Sequence, residues 1–169
     1  MIQLTFVDAA KKSQSKNQTL LKYKEWLLAL ERALPSFRFK KNKKIRKNQF
    51  EEILVQFVDD KTIRKINTQY RKIQKTTDVL SFSYSDAANA HFPHEPRGEI
   101  FISTDTAEKQ AAFFKIPLHE ELMVLTIHGL LHILGYDHET SEKDKEEMRK
   151  QETKLLKKIG ITSEALTER

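Results

Sequence analysis

The chain reads as an α+β fold. One domain over residues 1–169 carries a small mixed four-stranded sheet packed with helices, and a histidine-bearing helix runs through its centre. Three observations predict this. Four short runs rich in β-branched and aromatic residues stand among stretches with the apolar period of helices. The third and fourth of these runs follow one another without a helical pattern between them, giving the order βα–βα–ββ–ααα and hence a mixed sheet. Finally, residues 122–134 are apolar nearly all round, as a helix enclosed on most sides must be.

Residues 2–7 alternate weakly and predict a first strand. A polar linker follows, and then Leu20, Leu21, Trp26, Leu27, Leu28, Leu30 and Leu34 predict a helix stopped before Pro35. Residues 53–58 are apolar almost throughout, which predicts an interior strand. Asp59 or Asp60 then caps a short helix carrying Ile63 and Ile66 towards Tyr70. Strands three and four are expected at 78–84 and 99–103. The loop between them holds His91 and His94, whose proline-flanked setting marks them as surface residues rather than ligands. Asp105 and Glu108 have the spacing of a capping box for the next helix. Pro117 opens the histidine helix, with Glu120 and Glu121 in the first turn, where the helix dipole favours carboxylates. Residues 141–158 predict a charged amphipathic helix, with Met148, Leu155 and Ile159 inside and Glu146–Lys150 as an i,i+4 pair.

The chain has no cysteine, so any metal must be held by His, Asp or Glu. No apolar run approaches the roughly 18 residues of a membrane span, and the N-terminus lacks the pattern of a secretory signal. A cytoplasmic protein without membrane contact is therefore expected. Net charge is +6, and basic residues crowd between Arg38 and Lys47 with no acid among them. Alone, such a run is a solvated loop; beside a hydrolytic metal site it draws phosphate backbones.

The chemistry concentrates at residues 128–138, HGLLHILGYDH. His128 and His132 lie one helical turn apart and about 40° around the axis, so both imidazoles face one point. Gly135 suits a helix C-terminus, after which the chain can return His138 to the same point. Three imidazoles with an open fourth position are the layout of a catalytic zinc centre, and the spacing is that of the metzincins. Gly129 stands where those enzymes carry their glutamate base. We expect it to keep the space beside the metal clear.

The histidine block closely resembles the signature of the YbeY family of bacterial endoribonucleases. Further agreement runs from Asn67 to Phe82, with Tyr70-Arg71 followed by Thr77-Asp78-Val-Leu-Ser-Phe82, and at Gly98-Glu-Ile100 and Met148. Ser83 departs from the family's usual proline, and Glu99 from its usual aspartate. The resemblance implies a metal-dependent endoribonuclease acting on single-stranded RNA, in maturation of the small-subunit ribosomal RNA 3′ end and in ribosome quality control. It makes His128, His132 and His138 the metal ligands, with one Zn2+ or another divalent ion per chain, and gives His128 and Arg71 catalytic roles. The small ribosomal subunit is the implied partner. Two other readings of the motif stand beside it: a metallopeptidase with an unusual base such as Asp137, and a ribosome-associated binding protein whose zinc is structural.

Overall fold

The structure is a computed structural model that describes residues 2–8, 17–36, 51–84, 98–137 and 141–161. His138, the pair His91 and His94, and the basic run at 38–47 lie outside the described residues. In chain order the elements are β1 (Ile2–Asp8), α1 (Asn17–Ala33), β2 (Glu51–Val58), α2 (Asp60–Ile66), β3 (Val79–Ser83), β4 (Gly98–Ser103), α3 (Thr104–Phe114), α4 (Leu118–Ile133) and α5 (Glu142–Lys158). The strands form one sheet in the order β1-β2-β4-β3. β2 is parallel to both its neighbours, whereas β3 runs antiparallel to β4 at the edge. This is the mixed α+β arrangement that the order of elements predicts.

The period-2 alternation of the strands sorts their side chains between two faces. On β2, Ile53, Val55 and Phe57 are buried in the main core with Ile100 and Ile102 of β4, while Leu54 and Gln56 are half-buried on the other face. Phe6, Tyr23 and Phe57 pack edge-on or tilted, with ring centroids 4.7–5.4 Å apart. A smaller cluster of Val58, Ile63 and Leu80 joins α2 to the sheet.

α4 packs against α1, α3, α5 and strands β3 and β4. Every residue from Glu121 to Ile127 is buried, as are Gly129, Leu130, Leu131 and Ile133. A polar pin crosses this core. Thr126 Oγ1 donates to the Leu122 carbonyl, so its lone pair receives the Tyr23 hydroxyl at 2.9 Å. Burial holds the Tyr23 phenol well above its ordinary pKa, with the Thr126 bond opposing in part, and the ring stays neutral.

The helix meets the sheet at two glycines. A Cβ on Gly129 would stand 2.8 Å from Ile100 Cγ2 and 3.4 Å from Val79 Cγ2. One on Gly98 would stand 2.6 Å from the Phe82 carbonyl oxygen and 3.0 Å from Ile133 Cδ1. Gly129 therefore permits close approach of helix and sheet. Gly129 also lines the cleft beside His128, so this packing role is added to the expected one of keeping that space clear.

One other expectation is corrected. The first turn of α3 is capped by Ser103, which ends β4 and leaves no loop before the helix; its Oγ accepts the Thr106 N–H at 3.2 Å. Asp105 is thus no capping-box residue, and its carboxylate instead accepts the Asp60 N–H at 2.9 Å. Asp60 returns the tie, accepting Ser103 Oγ, Thr106 Oγ1 and Lys109 Nζ at 2.5, 2.8 and 3.0 Å. Partial burial raises the Asp60 pKa, but these bonds and the Lys109 charge outweigh it and hold the group below its ordinary 3.8.

This packing makes two outcomes testable. Gly129→Ala gains roughly 0.8–1.0 kcal/mol of helix propensity and loses roughly 1–3 kcal/mol to overpacking against Ile100. Urea unfolding should therefore show a net loss, smaller when the substitution is made in an Ile100→Ala background, which lacks both Cγ carbons. A variant more stable than wild type would mean that the crossing has slack. Asp60→Asn should cost about 1 kcal/mol at pH 7. Because the folded pKa is depressed, that difference is present above the ordinary value and fades as pH falls through the folded one; chemical denaturation at several pH values measures it.

Candidate active site

α4 ends where the sequence expects. Gly135 takes φ 92°, the Gly135 N–H bonds to the His132 carbonyl, and the Tyr136 N–H to that of Leu131, each at 3.0 Å. These two bonds are the Schellman motif, which only a residue tolerant of the left-handed region closes without strain. Tyr136, buried, then leads the chain on to Asp137 at the rim of a cleft of about 1500 Å³.

His128 and His132 line that cleft from the exposed side of α4. Their rings meet edge-on with centroids 4.8 Å apart, and the two Nε2 atoms stand 3.2 Å from one another. His128 Nδ1 lies 2.6 Å from Glu152 Oε1 on α5. An ionised carboxylate can only accept, so Nδ1 donates to Glu152, and the Nε2 atom is left facing His132. The position two turns earlier on the same helix face, Glu121, is fully buried at the start of α4; Glu152 is what holds the imidazole. Among the described residues no third His, Cys, Asp or Glu joins the pair as a ligand set.

Arg71 opens on the same cleft from a different element. The last turn after α2, Asn67–Arg71, widens into a π-type turn, and Lys72 closes it with φ 61°. Asn67 is buried and ties the turn on both sides. Its carbonyl accepts the Lys72 N–H, and its Nδ2 donates to the Lys75 carbonyl at 2.8 Å. The chain is thereby bent at Arg71, whose guanidinium stays exposed while the loop returns to β3. Thr77, Asp78 and the edge strand residues Ser81 and Ser83 make the adjoining wall. Gln110 of α3 steadies Asp78 with an Nε2–Oδ2 bond of 2.9 Å.

The cleft thus brings together Arg71, His128, His132 and Asp137. Sequence reasoning missed Glu152. A signal was present: Met148, Glu152, Leu155 and Ile159 form one stripe at i, i+4, i+7 and i+11, and a carboxylate inside an apolar stripe needs a polar partner across the interface. The arrangement offers two imidazole nitrogens converging on one point and, in the same cleft, a guanidinium suited to an oxyanion.

Comparison with known proteins agrees in sequence and in fold. A model of the endoribonuclease YbeY family matches residues 6–160. An endoribonuclease YbeY of Desulforamulus reducens is 43% identical over 113 residues, covering 65% of this chain and 73% of its own. That of Nautilia profundicola is 45% identical over 105 residues, covering 62% and 70%. A protein of Thermotoga maritima whose structure was solved in solution superposes with a TM-score of 0.54 at 25% identity, covering 94% of this chain and 89% of that one. The chain belongs to the endoribonuclease YbeY family, enzymes that cleave phosphodiester bonds within RNA.

Proposed function

We propose that the chain is a metal-dependent endoribonuclease that cuts single-stranded RNA, with the 3′ end of the small-subunit ribosomal RNA as its substrate and ribosome quality control as its setting. The observation that carries the metal is the histidine pair. Two ligand nitrogens about 2.0–2.1 Å from a tetrahedral ion stand roughly 3.3 Å apart, and the His128 and His132 Nε2 atoms are 3.2 Å apart. His138 is the third ligand in this reading, and Zn2+ the ion, although three imidazoles accept other divalent metals. The work is in the cytoplasm; no helix among the described residues is long and apolar enough to cross a membrane.

When bound, the ion supplies a Lewis acid that draws charge from a phosphate oxygen. The chain's own residues do the rest. Glu152 fixes the tautomer and ring orientation of His128, and so presents Nε2 in its neutral, lone-pair form. Arg71 holds a non-bridging phosphate oxygen pair in the same cleft, donating two parallel N–H bonds that a lysine cannot reproduce. Charge neutralisation from both sides suits a substrate that is already anionic, without the glutamate base that a peptide hydrolase uses. Membership in an endoribonuclease family weighs against a metallopeptidase relying on Asp137 and against a purely structural zinc.

Purified protein should carry close to one metal per chain by elemental analysis, lost in the His128→Ala, His132→Ala, His138→Ala triple variant. Equal metal content in the two would end the ligand assignment. Glu152→Gln should bind the metal about 10–100-fold more weakly, read by competition with a chelator. Unchanged affinity would reduce Glu152 to a packing role. For Arg71→Ala we expect retained metal and circular dichroism but loss of most cleavage of single-stranded RNA, with Arg71→Lys recovering only part. Wild-type cleavage by Arg71→Ala would transfer the phosphate role to another cation.

A further inference from the structure

The C-terminal half of α5 carries a second feature that the cleft chemistry does not use. Among the described residues a shallow groove is lined by Lys150, Thr153, Lys154, Lys157 and Lys158, none of them acidic. Thr153 also lines the main cleft, so the two surfaces are continuous. The lysines fall at i, i+4, i+7 and i+8, one stripe on the side of α5 opposite the buried Met148, Leu155 and Leu156.

A bland account exists for part of this. Lys157 and Lys158 occupy the last turn, where cations complement the helix dipole. Lys150 and Lys154 lie earlier and are outside its reach. Lys150 also pairs with Glu146 at 2.9 Å, but that pair is exposed and of the weak surface kind. In the first half of the helix Lys143, Lys145 and Arg149 are interleaved with Glu142, Asp144, Glu146 and Glu147, whereas the carboxylate within the stripe, Glu152, is turned inward to His128.

We propose that this groove is a track for the phosphate backbone of the substrate strand, carrying RNA that leaves the cleft across Thr153 and along α5. The proposal rests on the reading of the chain as a single-strand endoribonuclease. From Lys150 to Lys158 the helix rises about 12 Å, at about 1.5 Å per residue, so the stripe follows the strand past the nucleotides held in the cleft. Lysines suit such a track because they meet phosphates as mobile point charges and read no base. The role is affinity and reach, not bond cleavage.

The test compares wild type with the variant Lys150→Gln, Lys154→Gln, Lys157→Gln, Lys158→Gln, using a short single-stranded RNA that the cleft alone accommodates and a long one that extends beyond it. Glutamine keeps helix propensity, and circular dichroism checks the fold; the pair Lys154→Gln, Lys157→Gln serves if the full variant does not fold. For the long RNA, the slope of log affinity against log salt should become shallower by about 2–3 units, near 0.7 for each phosphate that is no longer neutralised, and KM should rise. For the short RNA, cleavage should be unchanged. The track is overturned if long-RNA affinity and slope match wild type, or if short and long RNA weaken equally, which would mark a diffuse field. Wild type that cleaves neither RNA overturns the endoribonuclease reading itself, and the track with it.

Discussion

The interaction on which the rest depends is the approach of α4 to the sheet at Gly129 and Ile100. Here Gly129 against β4, and Gly98 against Ile133, let backbone and side chain interlock from both partners. That fixes the height of α4 over the sheet. It also fixes its rotation, since turning the helix would drive Leu130 or His128 into Ile100. With both set, the face carrying His128 and His132 has one direction left to point, into the cleft.

A second interaction refines the first. Glu152 crosses from α5 to His128 Nδ1 at 2.6 Å, so the imidazole is positioned by a helix other than its own. Both groups are partly exposed, with 30% and 23% of their side-chain surface accessible, which keeps solvent at the pair and limits what it adds to stability. Its value is orientation. The helices that make the core thus also orient the His128 imidazole.

Much of this was legible in the residues. The apolar helix, the i,i+4 histidines and the glycine that ends their helix are local patterns, which the residue order alone displays. The strands were found for the same reason, and the mixed sheet followed from two of them lacking a helix between. The misses have a common cause. The packing of Gly129 on Ile100 is invisible in the residue order, because the two are distant in sequence. Ser103 displaced Asp105 as the helix cap because β4 runs straight into α3, a matter of how two elements join. The wide turn at Asn67–Arg71 depends on a side-chain bond to Lys75 that no periodicity announces. Pairwise tertiary packing decided each case.

The placement of Glu152 has a consequence for biosynthesis. Ribosomes deliver the chain from its N-terminus, so β1 through α4 emerge before the element that carries this carboxylate. Until α5 is released and docks, the side of α4 that packs on it lacks its cover, and the His128 ring lacks its Glu152 contact. The nascent polypeptide therefore holds both imidazoles without the geometry that aligns them. The contact that orients His128 arrives with α5, as a property of the folded chain and not of its growing fragments.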